Sequence, residues 1–413
     1  MSAILDKLLK GQNVEWLRIA EVGELVRGNG LQKSDFTESG VPAIHYGQIY
    51  TFYGNSTTET KSFVSPELAE KLRKVNKGDV VITNTSENLE DVGKALLYLG
   101  EKQAVTGGHA TIFRPGEKIL GKYFVYFTQS DFFASEKRKY AKGTKVIDVS
   151  ATDMAKILIA IPPLDVQAEI VRILDAFTAV TAELTAELNM REKQYQYYRN
   201  KLLSFSEAGI ETDSNRQQQT ALCEGLANNV KQNHQIIWKS LGEIANFMNG
   251  KGHEKDIHEF GNYIVVNSKF ISSDGQVAKY TNNQICPLYD NDILIVMSDL
   301  PNGKALAKTF FVEENDKYSL NQRIGKLSAK DKSQVVPKFL YYFLNRNSQL
   351  IKFDNGTDQT NLRKDQILSV KIPIIPVERQ KRIVEILDKF EALTHSIARG
   401  IIFYPFHFFG RSG

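Results

Sequence analysis

Cysteine is scarce in this chain of 413 residues, which contains only Cys223 and Cys286. Two cysteines provide neither a disulfide framework nor a CxxC metal pair, and this favours a reducing compartment. No apolar run approaches the roughly 18 residues that a membrane-spanning helix needs. Residues 1–10 also lack an apolar stretch long enough for a signal peptide. We therefore expect a cytoplasmic protein.

Signatures of catalysis are also missing. No Gly-Lys pair is followed by Ser or Thr, as a P-loop requires, and the sequence has no Rossmann fingerprint. The Asn-Pro-Pro-aromatic motif with which adenine methyltransferases hold a flipped base does not occur. His253 and His258 are five residues apart, whereas an HExxH zinc site needs a spacing of four. We expect no catalytic residue, metal site or cofactor in this chain.

The excess of positive charge is small, because 52 Lys and Arg residues oppose 48 Asp and Glu residues and the net charge is +4. This charge permits an acidic partner such as DNA but does not by itself indicate one. Hydrophobic residues at 42% and charged residues at 24% are typical of a globular protein. The length predicts two or more domains.

The chain is a tandem duplication. WLRIAEVGELVRGNG from Trp16 aligns without a gap on WKSLGEIANFMNGKG from Trp238, and IVRILDAF from Ile170 aligns on IVEILDKF from Ile383. Between these segments, NKGDVVI at 76–82 matches YDNDILI at 289–295. We expect a mixed α/β domain over 1–163 and a second one over 236–376. The glycine-rich segments 28–30 and 249–252 are predicted to be turns and not phosphate-binding loops.

Each copy ends in a proline-containing apolar stretch followed by a helical pattern, and Pro163 and Pro376 precede the helix starts. The apolar residues then step by three and four, which predicts a heptad seam. An amphipathic helix packed on its own domain would give the same spacing. The first helix, expected over 164–205, would span about 60 Å and serve as a spacer. The predicted seam contains Ile170, Ile173, Phe177, Val180, Leu184 and Leu188 in the first copy, and Ile383, Ile386, Phe390, Leu393 and Ile397 in the second.

The second helix is expected to be shorter, over 377–400. After Ile397 nothing matches the segment REKQYQYYRNKLLSF that ends the first helix, Gly400 is an expected stop, and an atypical tail follows over 401–413. A rearranged gene end or a genuinely shortened helix would explain this, and either would weaken the docking of one partner subunit. Residues 206–235 are polar and rich in Gln and Asn, which predicts a linker.

The order of domain, helix, domain and helix resembles the specificity subunit of type I restriction-modification enzymes. The resemblance covers nearly the whole chain and rests on the two openings, on the Gly-Thr turns at 143–144 and 356–357, and on the junctions 161–175 and 374–388. It also rests on the central-helix segment 191–205. It implies two tandem α+β target-recognition domains, each followed by a long helix, with the helices paired as an antiparallel coiled coil.

The same resemblance implies that each domain reads one half of a split, asymmetric site in double-stranded DNA. The helices would set the spacing between the halves and dock two modification (methyltransferase) subunits. Those subunits would bring S-adenosylmethionine, and a restriction subunit would complete the complex. Two alternatives remain open, namely a scaffold whose domains bind protein or glycan and a silent cassette for recombination.

Candidate DNA-binding residues lie in several polar loops, since base edges are read by amide, hydroxyl, imidazole and basic side chains. Solvated loops are commonly polar too, so each residue has a purely structural alternative. At equivalent places the copies differ, with Gly-Gly-His in one and Asn-Gln-Arg in the other, as expected for two different half-sites. The first-copy candidates are Arg27, Lys33, His45, Tyr46, Gln48, Asn84, Ser86, Asn88 and His109, with Arg138, Lys139, Lys142 and Lys145 for phosphates. The second-copy candidates are Lys251, His253, Asn267, Lys269, Ser298, Asn321, Gln322 and Arg323.

Overall fold

The structure, a computed structural model, describes residues 7–205, 236–253, 255–300, 303–354 and 356–402. The predicted linker and residues 403–413 of the predicted tail lie outside the described residues. The described chain divides into two units. The first runs to Thr185 and takes in the last helix from Arg399, and the second runs from Ala186 to Ala398.

Two main sheets form the first unit. The larger has the strand order β2-β11-β7-β9-β4 and the smaller β5-β3-β10-β6, while β1 pairs with β13 and β8 with β12. All four residues of β7 are buried, as expected for an apolar strand covered on both faces. The strands are β1 (Glu15–Arg18), β2 (Gly23–Arg27), β3 (Val41–Ile44), β4 (Ser56–Thr57), β5 (Ser62–Val64), β6 (Arg73–Val75), β7 (Val80–Thr83), β8 (Thr85–Ser86), β9 (Ala95–Tyr98), β10 (Ala104–Thr106), β11 (Ala110–Pro115), β12 (Ile147–Asp148) and β13 (Leu158–Ile161).

Short helices connect these strands, and a long one follows them. The side chains of Ser65, Ser130 and Ser150 accept hydrogen bonds from backbone N–H groups and so cap three of the short helices. The helices are α1 (Ile19–Val22), α2 (Tyr46–Thr51), α3 (Pro66–Lys71), α4 (Gly121–Phe127), α5 (Asp131–Arg138), α6 (Ala151–Met154) and α7 (Leu164–Leu203), with a 3-10 turn at Lys33–Asp35.

The second unit repeats this plan with its own elements. Its sheets have the orders β15-β22-β18-β20 and β17-β16-β21, and two further pairs are β14-β24 and β19-β23. The strands are β14 (Ile237–Ser240), β15 (Ala245–Asn249), β16 (Tyr263–Val266), β17 (Tyr280–Thr281), β18 (Ile293–Val296), β19 (Ser298–Asp299), β20 (Thr309–Phe311), β21 (Tyr318–Leu320), β22 (Ile324–Ala329), β23 (Thr360–Asn361) and β24 (Lys371–Ile374). The helices are α8 (Leu241–Ile244), α9 (Ser268–Ser272), α10 (Pro337–Leu344), α11 (Ser348–Ile351), α12 (Lys364–Leu368) and α13 (Val377–Ile402).

Strand register confirms the duplication. The first strand of each domain pairs antiparallel with the last, so that Trp16 lies opposite Ala160 and Trp238 lies opposite Pro373. Each domain also contains an equivalent parallel pair, β3 with β10 and β16 with β21, and the first domain has a further one, β4 with β9. The two copies thus share their topology as well as their sequence motifs.

A buried glutamine fastens each long helix to the domain that precedes it. Gln167 accepts a hydrogen bond from Leu120 N–H at 2.9 Å and donates to Lys118 O and Pro162 O at 2.9 and 2.8 Å. Gln380 accepts from Val336 N–H and donates to two carbonyl oxygens in the same arrangement. Both glutamines are fully buried. These bonds satisfy backbone groups in the loop before α4 or α10 and orient the helix as it leaves its domain.

A tyrosine–aspartate pair lies about two turns further along each helix. Tyr126 donates to Asp175 at 2.6 Å and Tyr342 donates to Asp388 at 2.5 Å. Both aspartates belong to the repeated ILD motif. Burial, followed by the neighbouring carboxylates, raises the pKa of Tyr342 far above its ordinary value, so this hydroxyl remains a donor at any physiological pH.

The beginning of the predicted seam belongs to the domain cores. Ile170 is completely buried in the core of the first domain, and Ile383 is buried in the core of the second. Further along, Val180 and Leu393 are 42% and 40% exposed. Ile170 and Ile383 therefore lie where each helix covers its own domain, and their place in a helix-helix seam stays a prediction.

The last helix, α13, continues through Gly400 to Ile402, two residues beyond its predicted end. The first long helix ends at Leu203, close to the predicted residue 205. In the part of the chain that the structure describes, no helix is both long and apolar enough to cross a membrane.

Candidate DNA-reading interface

Four loops that the sequence singled out in the first domain converge on one place. Arg27 Nε donates to Gly108 O at 3.0 Å, and the hydroxyl of Thr85 lies 2.9 Å from His109 Nδ1. The Tyr46 and His109 rings are 5.0 Å apart, centroid to centroid. Segments 27–33, 45–48, 84–86 and 107–109 are therefore neighbours, although up to 82 positions separate them.

Gly28 and Gly250 lie where two loops approach each other too closely to leave room for a side chain. A Cβ atom on Gly28 would lie 2.1 Å from Gly107 O, and one on Gly250 would lie 2.1 Å from Asn321 O. Any side chain at either position would push two loops apart. These glycines therefore join the first loop of each domain to the loop that carries His109 or Asn321.

His45 is held by a backbone hydrogen bond at the end of β3. Its Nδ1 accepts from Gly47 N–H at 3.2 Å, and its ring lies 4.4 Å from the Tyr46 ring and 5.6 Å from the Phe36 ring. Burial, then the charges of His109 and Lys33, lower the pKa of His45. The imidazole is consequently neutral at pH 7. Gln48 is held as well, since its Nε2 donates to Ser62 Oγ at 2.6 Å.

Asn84 and Ser86 are buried and not displayed. Asn84 Oδ1 accepts from the Thr111 hydroxyl at 2.8 Å, and Ser86 lies in β8, paired with Ile147 of β12. The exposed Asn88 instead bonds Asp91 through its side chain at 2.7 Å. The polar side chains of the NTSEN loop at 84–88 mainly form hydrogen bonds within the protein, because its first three residues are buried.

The four predicted phosphate-contacting residues, Arg138, Lys139, Lys142 and Lys145, are all exposed. Lys139 pairs with Glu136 at 2.5 Å and Lys142 with Asp153 at 3.2 Å. The pairing of β12 with β8 places the loop of Lys142 and Lys145 beside Thr85 and hence beside His109. The same loop contains Gly143, whose φ of +99° allows its turn.

Directly before Arg138 in the chain lies a buried lysine whose burial the sequence did not reveal. Lys137 is only 5% exposed and donates to the carbonyl oxygens of Glu90 and Val92 at 3.2 and 2.5 Å. Burial, reinforced by the positive charge of Lys94, lowers the pKa of Lys137 to about 8. Lys137 therefore holds the loop that carries Asn88 and does not face solvent.

The predicted loops of the second domain also come together. Lys251 forms a β-bridge with Asn321, and Asn321 N–H donates to Val266 O, next to Asn267, at 3.1 Å. Met297 N–H donates to Arg323 O at 3.1 Å. The exposed side chains in this cluster are those of Lys251, Lys269, Gln322 and Arg323.

His253 and Ser298 are buried and hold loops in place. His253 lies 2.8 Å from Lys251 O through Nδ1 and 2.7 Å from Ser319 Oγ through Nε2, and it is 1% exposed. Ser298 is 7% exposed and accepts from Gln359 Nε2 at 2.7 Å. His253 therefore fixes the loop that displays Lys251 and does not present its own ring.

Gln359 was missed by the sequence analysis. It lies beside the Gly-Thr turn at 356–357, and the pairing of β23 with β19 places this loop against Ser298 as β12 places its counterpart against Thr85. The repeat offset of the turns was the signal that could have identified it. Among the described residues, no group of three or more His, Cys, Asp and Glu side chains could hold a metal ion.

Comparison with known proteins agrees with this duplicated arrangement. Residues 12–191 and 237–402 match the family of the type I restriction modification DNA specificity domain. The chain is 29% identical to the specificity subunit of type I restriction enzyme EcoR124I/EcoR124II of Escherichia coli, over 96% of this chain and 91% of that protein. It is also 29% identical to a putative type I restriction enzyme specificity subunit of Haemophilus influenzae, over 96% and 92%.

Among solved structures, the S subunit of a type I restriction-modification system from M. genitalium has the same fold. The TM-score is 0.55 at 16% identity, and the match covers 94% of this chain and 92% of that one. The family match extends over both halves of the duplication, and it includes most of the first long helix and all of the second. The chain therefore belongs to the family of type I restriction-modification DNA specificity proteins.

Proposed function

We propose that this protein reads a bipartite DNA site, one half with each domain, for a type I restriction-modification enzyme. The observation that carries the proposal is a contrast between the two copies. The same loops converge in both, fastened by Gly28 and Gly250, yet the side chains that they display differ. A fold kept for packing alone would not require this difference, whereas two unlike half-sites would.

The structure narrows the residues that we propose for contact with bases and phosphates. Asn84, Ser86, His253 and Ser298 are buried, so we assign them to loop support. The remaining candidates are exposed or half-buried at the two clusters. In the first domain these are Arg27, Lys33, His45, Tyr46, Gln48, Asn88 and His109 with Arg138, Lys139, Lys142 and Lys145, and in the second they are Lys251, Asn267, Lys269, Asn321, Gln322 and Arg323.

We further propose that α7 and α13 pair as an antiparallel coiled coil. Two contacts inside the second unit support this pairing. The Tyr198 ring stacks on the Phe390 ring, and Arg379 lies over the Phe205 ring at 5.9 Å. From the first contact to the second, the residue number increases from 198 to 205 at the end of the first long helix and decreases from 390 to 379 in α13. The two segments therefore run in opposite directions. A rigid pair of helices makes the second half-site contact effectively intramolecular only when the spacing of the halves is correct.

The expected partners are two modification subunits, which bring S-adenosylmethionine and methylate adenine, and a restriction subunit in the full complex. In this assembly the chain supplies recognition and its partners supply catalysis, in the cytoplasm where the chromosomal DNA lies. The scaffold and cassette alternatives receive no support from the comparisons.

Methylome sequencing of cells that express this gene with its modification subunit tests the proposal. We expect a split, gene-dependent adenine-methylated motif. A complementary test measures binding of the purified complex to DNA against salt concentration. Each phosphate contact contributes nearly one unit to the slope of log K against log salt, so Lys142→Ala with Lys145→Ala should reduce the slope by about 2.

A matched control for these lysines is Lys118→Ala. Lys118 is exposed and pairs with Glu15, and its carbonyl oxygen accepts from Gln167 at the helix junction, away from the loop cluster. The control should keep the wild-type salt slope. A salt-independent affinity for the wild type, or the absence of any gene-dependent motif, would reject the proposed function.

A further inference from the structure

The two domains each present a side-chain hydrogen-bond donor at one equivalent position. His45 and Asn267 occupy the same place in the duplication, 222 residues apart like Trp16 and Trp238. Each follows the central parallel strand of its smaller sheet, and each accepts a hydrogen bond from a backbone amide just ahead. The donors are Gly47 N–H, at 3.2 Å from His45 Nδ1, and Phe270 N–H, at 2.9 Å from Asn267 Oδ1.

These bonds determine which atom of each side chain is left for a ligand. Because Nδ1 of His45 accepts, the proton of the neutral ring must be on Nε2. Because Oδ1 of Asn267 accepts, its amide group is oriented with Nδ2 as the remaining polar atom. Within the described part of the chain, neither His45 Nε2 nor Asn267 Nδ2 has a hydrogen-bond partner. Both domains therefore offer a neutral donor here.

The surroundings of His45 and Asn267 also favour ligand binding at this position. The His45 ring lies in the cluster with Tyr46 and His109, and Asn267 is adjacent in the chain to Val266, whose carbonyl accepts from Asn321 N–H. Both side chains are half-buried, so their position is fixed while one edge stays accessible. An asparagine held in this way is not free for the bidentate amide contact by which adenine is commonly read.

We propose that His45 and Asn267 each donate to a guanine, one in each half-site. Guanine presents two acceptors and no donor in the major groove, whereas cytosine presents only the N4 amino donor. A fixed donor thus favours guanine, which offers two acceptors where adenine and thymine offer one each, and it rejects cytosine at the contacted position. This inference rests on the proposed function, since it names the bases that two residues of the proposed interface read.

Substitution by aspartate reverses the polarity and keeps the backbone hydrogen bond. In His45→Asp and Asn267→Asp, one carboxylate oxygen can accept from the same amide, while the other becomes an acceptor in place of the donor. His45→Asn is the conservative control, because asparagine retains both the acceptor for Gly47 N–H and an outward donor. Unchanged thermal unfolding midpoints would show that the loops remain intact.

The measurement is the methylation rate of the complex with its modification subunits on duplexes substituted one base at a time. We expect the methylation rate of wild type and of His45→Asn to be highest with guanine and lowest with cytosine at one position of a half-site. His45→Asp should lower the methylation rate roughly tenfold or more with guanine at this position, raise it with cytosine there, and leave the base preference of the other half-site unchanged. Asn267→Asp should have the same effects in the other half-site. Aspartate variants with wild-type base preferences would overturn the inference and leave the proposed function intact. A wild-type complex that methylates no defined site would reject the proposed function and, with it, the inference.

Discussion

Tyr198 and Phe390 stack face to face, with ring centroids 5.3 Å apart and ring planes inclined by 23°. Tyr198 belongs to the first long helix and Phe390 to the second, and both rings are half-buried. Beside them, Arg199 donates to Tyr342 O at 2.9 Å. The end of the central helix is thus attached to the second domain through its own side chains. This attachment accounts for Tyr198, Arg199 and Phe205 in the segment REKQYQYYRNKLLSF.

Loss of this ring pair should destabilise the second unit. We expect Tyr198→Ala to lower the free energy of unfolding by about 2 kcal/mol, from lost burial and lost ring contact. Urea unfolding in a Trp16→Phe background would report through Trp238, the remaining tryptophan of the chain. The control is Met190→Ala on the same helix, whose side chain is 64% exposed and should contribute under 0.5 kcal/mol. Equal effects of the two substitutions would contradict the role of the stack.

Substitution of a buried glutamine at a helix junction should lower the free energy of unfolding more than loss of the ring pair does. Gln380→Leu leaves Val336 N–H and two carbonyl oxygens without their partner, and we expect a loss of about 3 kcal/mol. Gln167→Leu should have a similar cost in the first unit. The exposed Gln196, substituted in the same way, should be nearly neutral. Calorimetry of the three variants distinguishes these cases, and a loss below 1 kcal/mol for both junction variants would refute the prediction.

Lys137 should make stability depend on alkaline pH. Its pKa of about 8 in the folded protein lies below the ordinary 10.5, so the unfolded chain binds the proton more tightly. The free energy of unfolding should therefore rise as the pH increases from 8 to 10.5, by on the order of 3 kcal/mol, and Lys137 should contribute no pH dependence below 8. The difference between wild type and Lys137→Met, measured across this range, isolates the effect. A constant difference would disprove it.

The pKa of His45 should respond to its neighbour Lys33. Burial lowers this pKa first, and the positive charges of His109 and Lys33 lower it further. Lys33→Met removes one of these charges and should raise the pKa of His45 toward its ordinary 6.5, as followed by NMR titration of the imidazole. Lys118→Met, at the helix junction, is the control and should leave the titration unchanged. Because the folded-state pKa is lowered, His45 should reduce stability as the pH falls below 6.5.

The sequence predicted the duplication, the long helices and the loops that converge, because these depend on repeated motifs and on local spacing. It could not predict burial at single loop positions. His253 looked like a displayed imidazole, and only the register of β21 against its loop places it on Ser319. Periodicity likewise could not reveal that Ile170 packs in the core of its own domain, since a 3-4 spacing does not distinguish contact with a helix from contact with a domain core. Gln167 belonged to a recognised motif, but two of its three partners, Lys118 and Leu120, are in a distant segment that the sequence alone does not bring to it.

The pairing of β1 with β13, and of β14 with β24, has a further consequence. The first strand of each domain lies beside its last strand, so the chain enters and leaves the domain at the same place. Another domain with the same two end strands, and a glutamine to fasten the helix, would fit between the same flanking segments without moving them. On the proposed function, recognition of one half-site would change by exchange of an entire domain, while the helices, the spacing and the other half-site stay as they are.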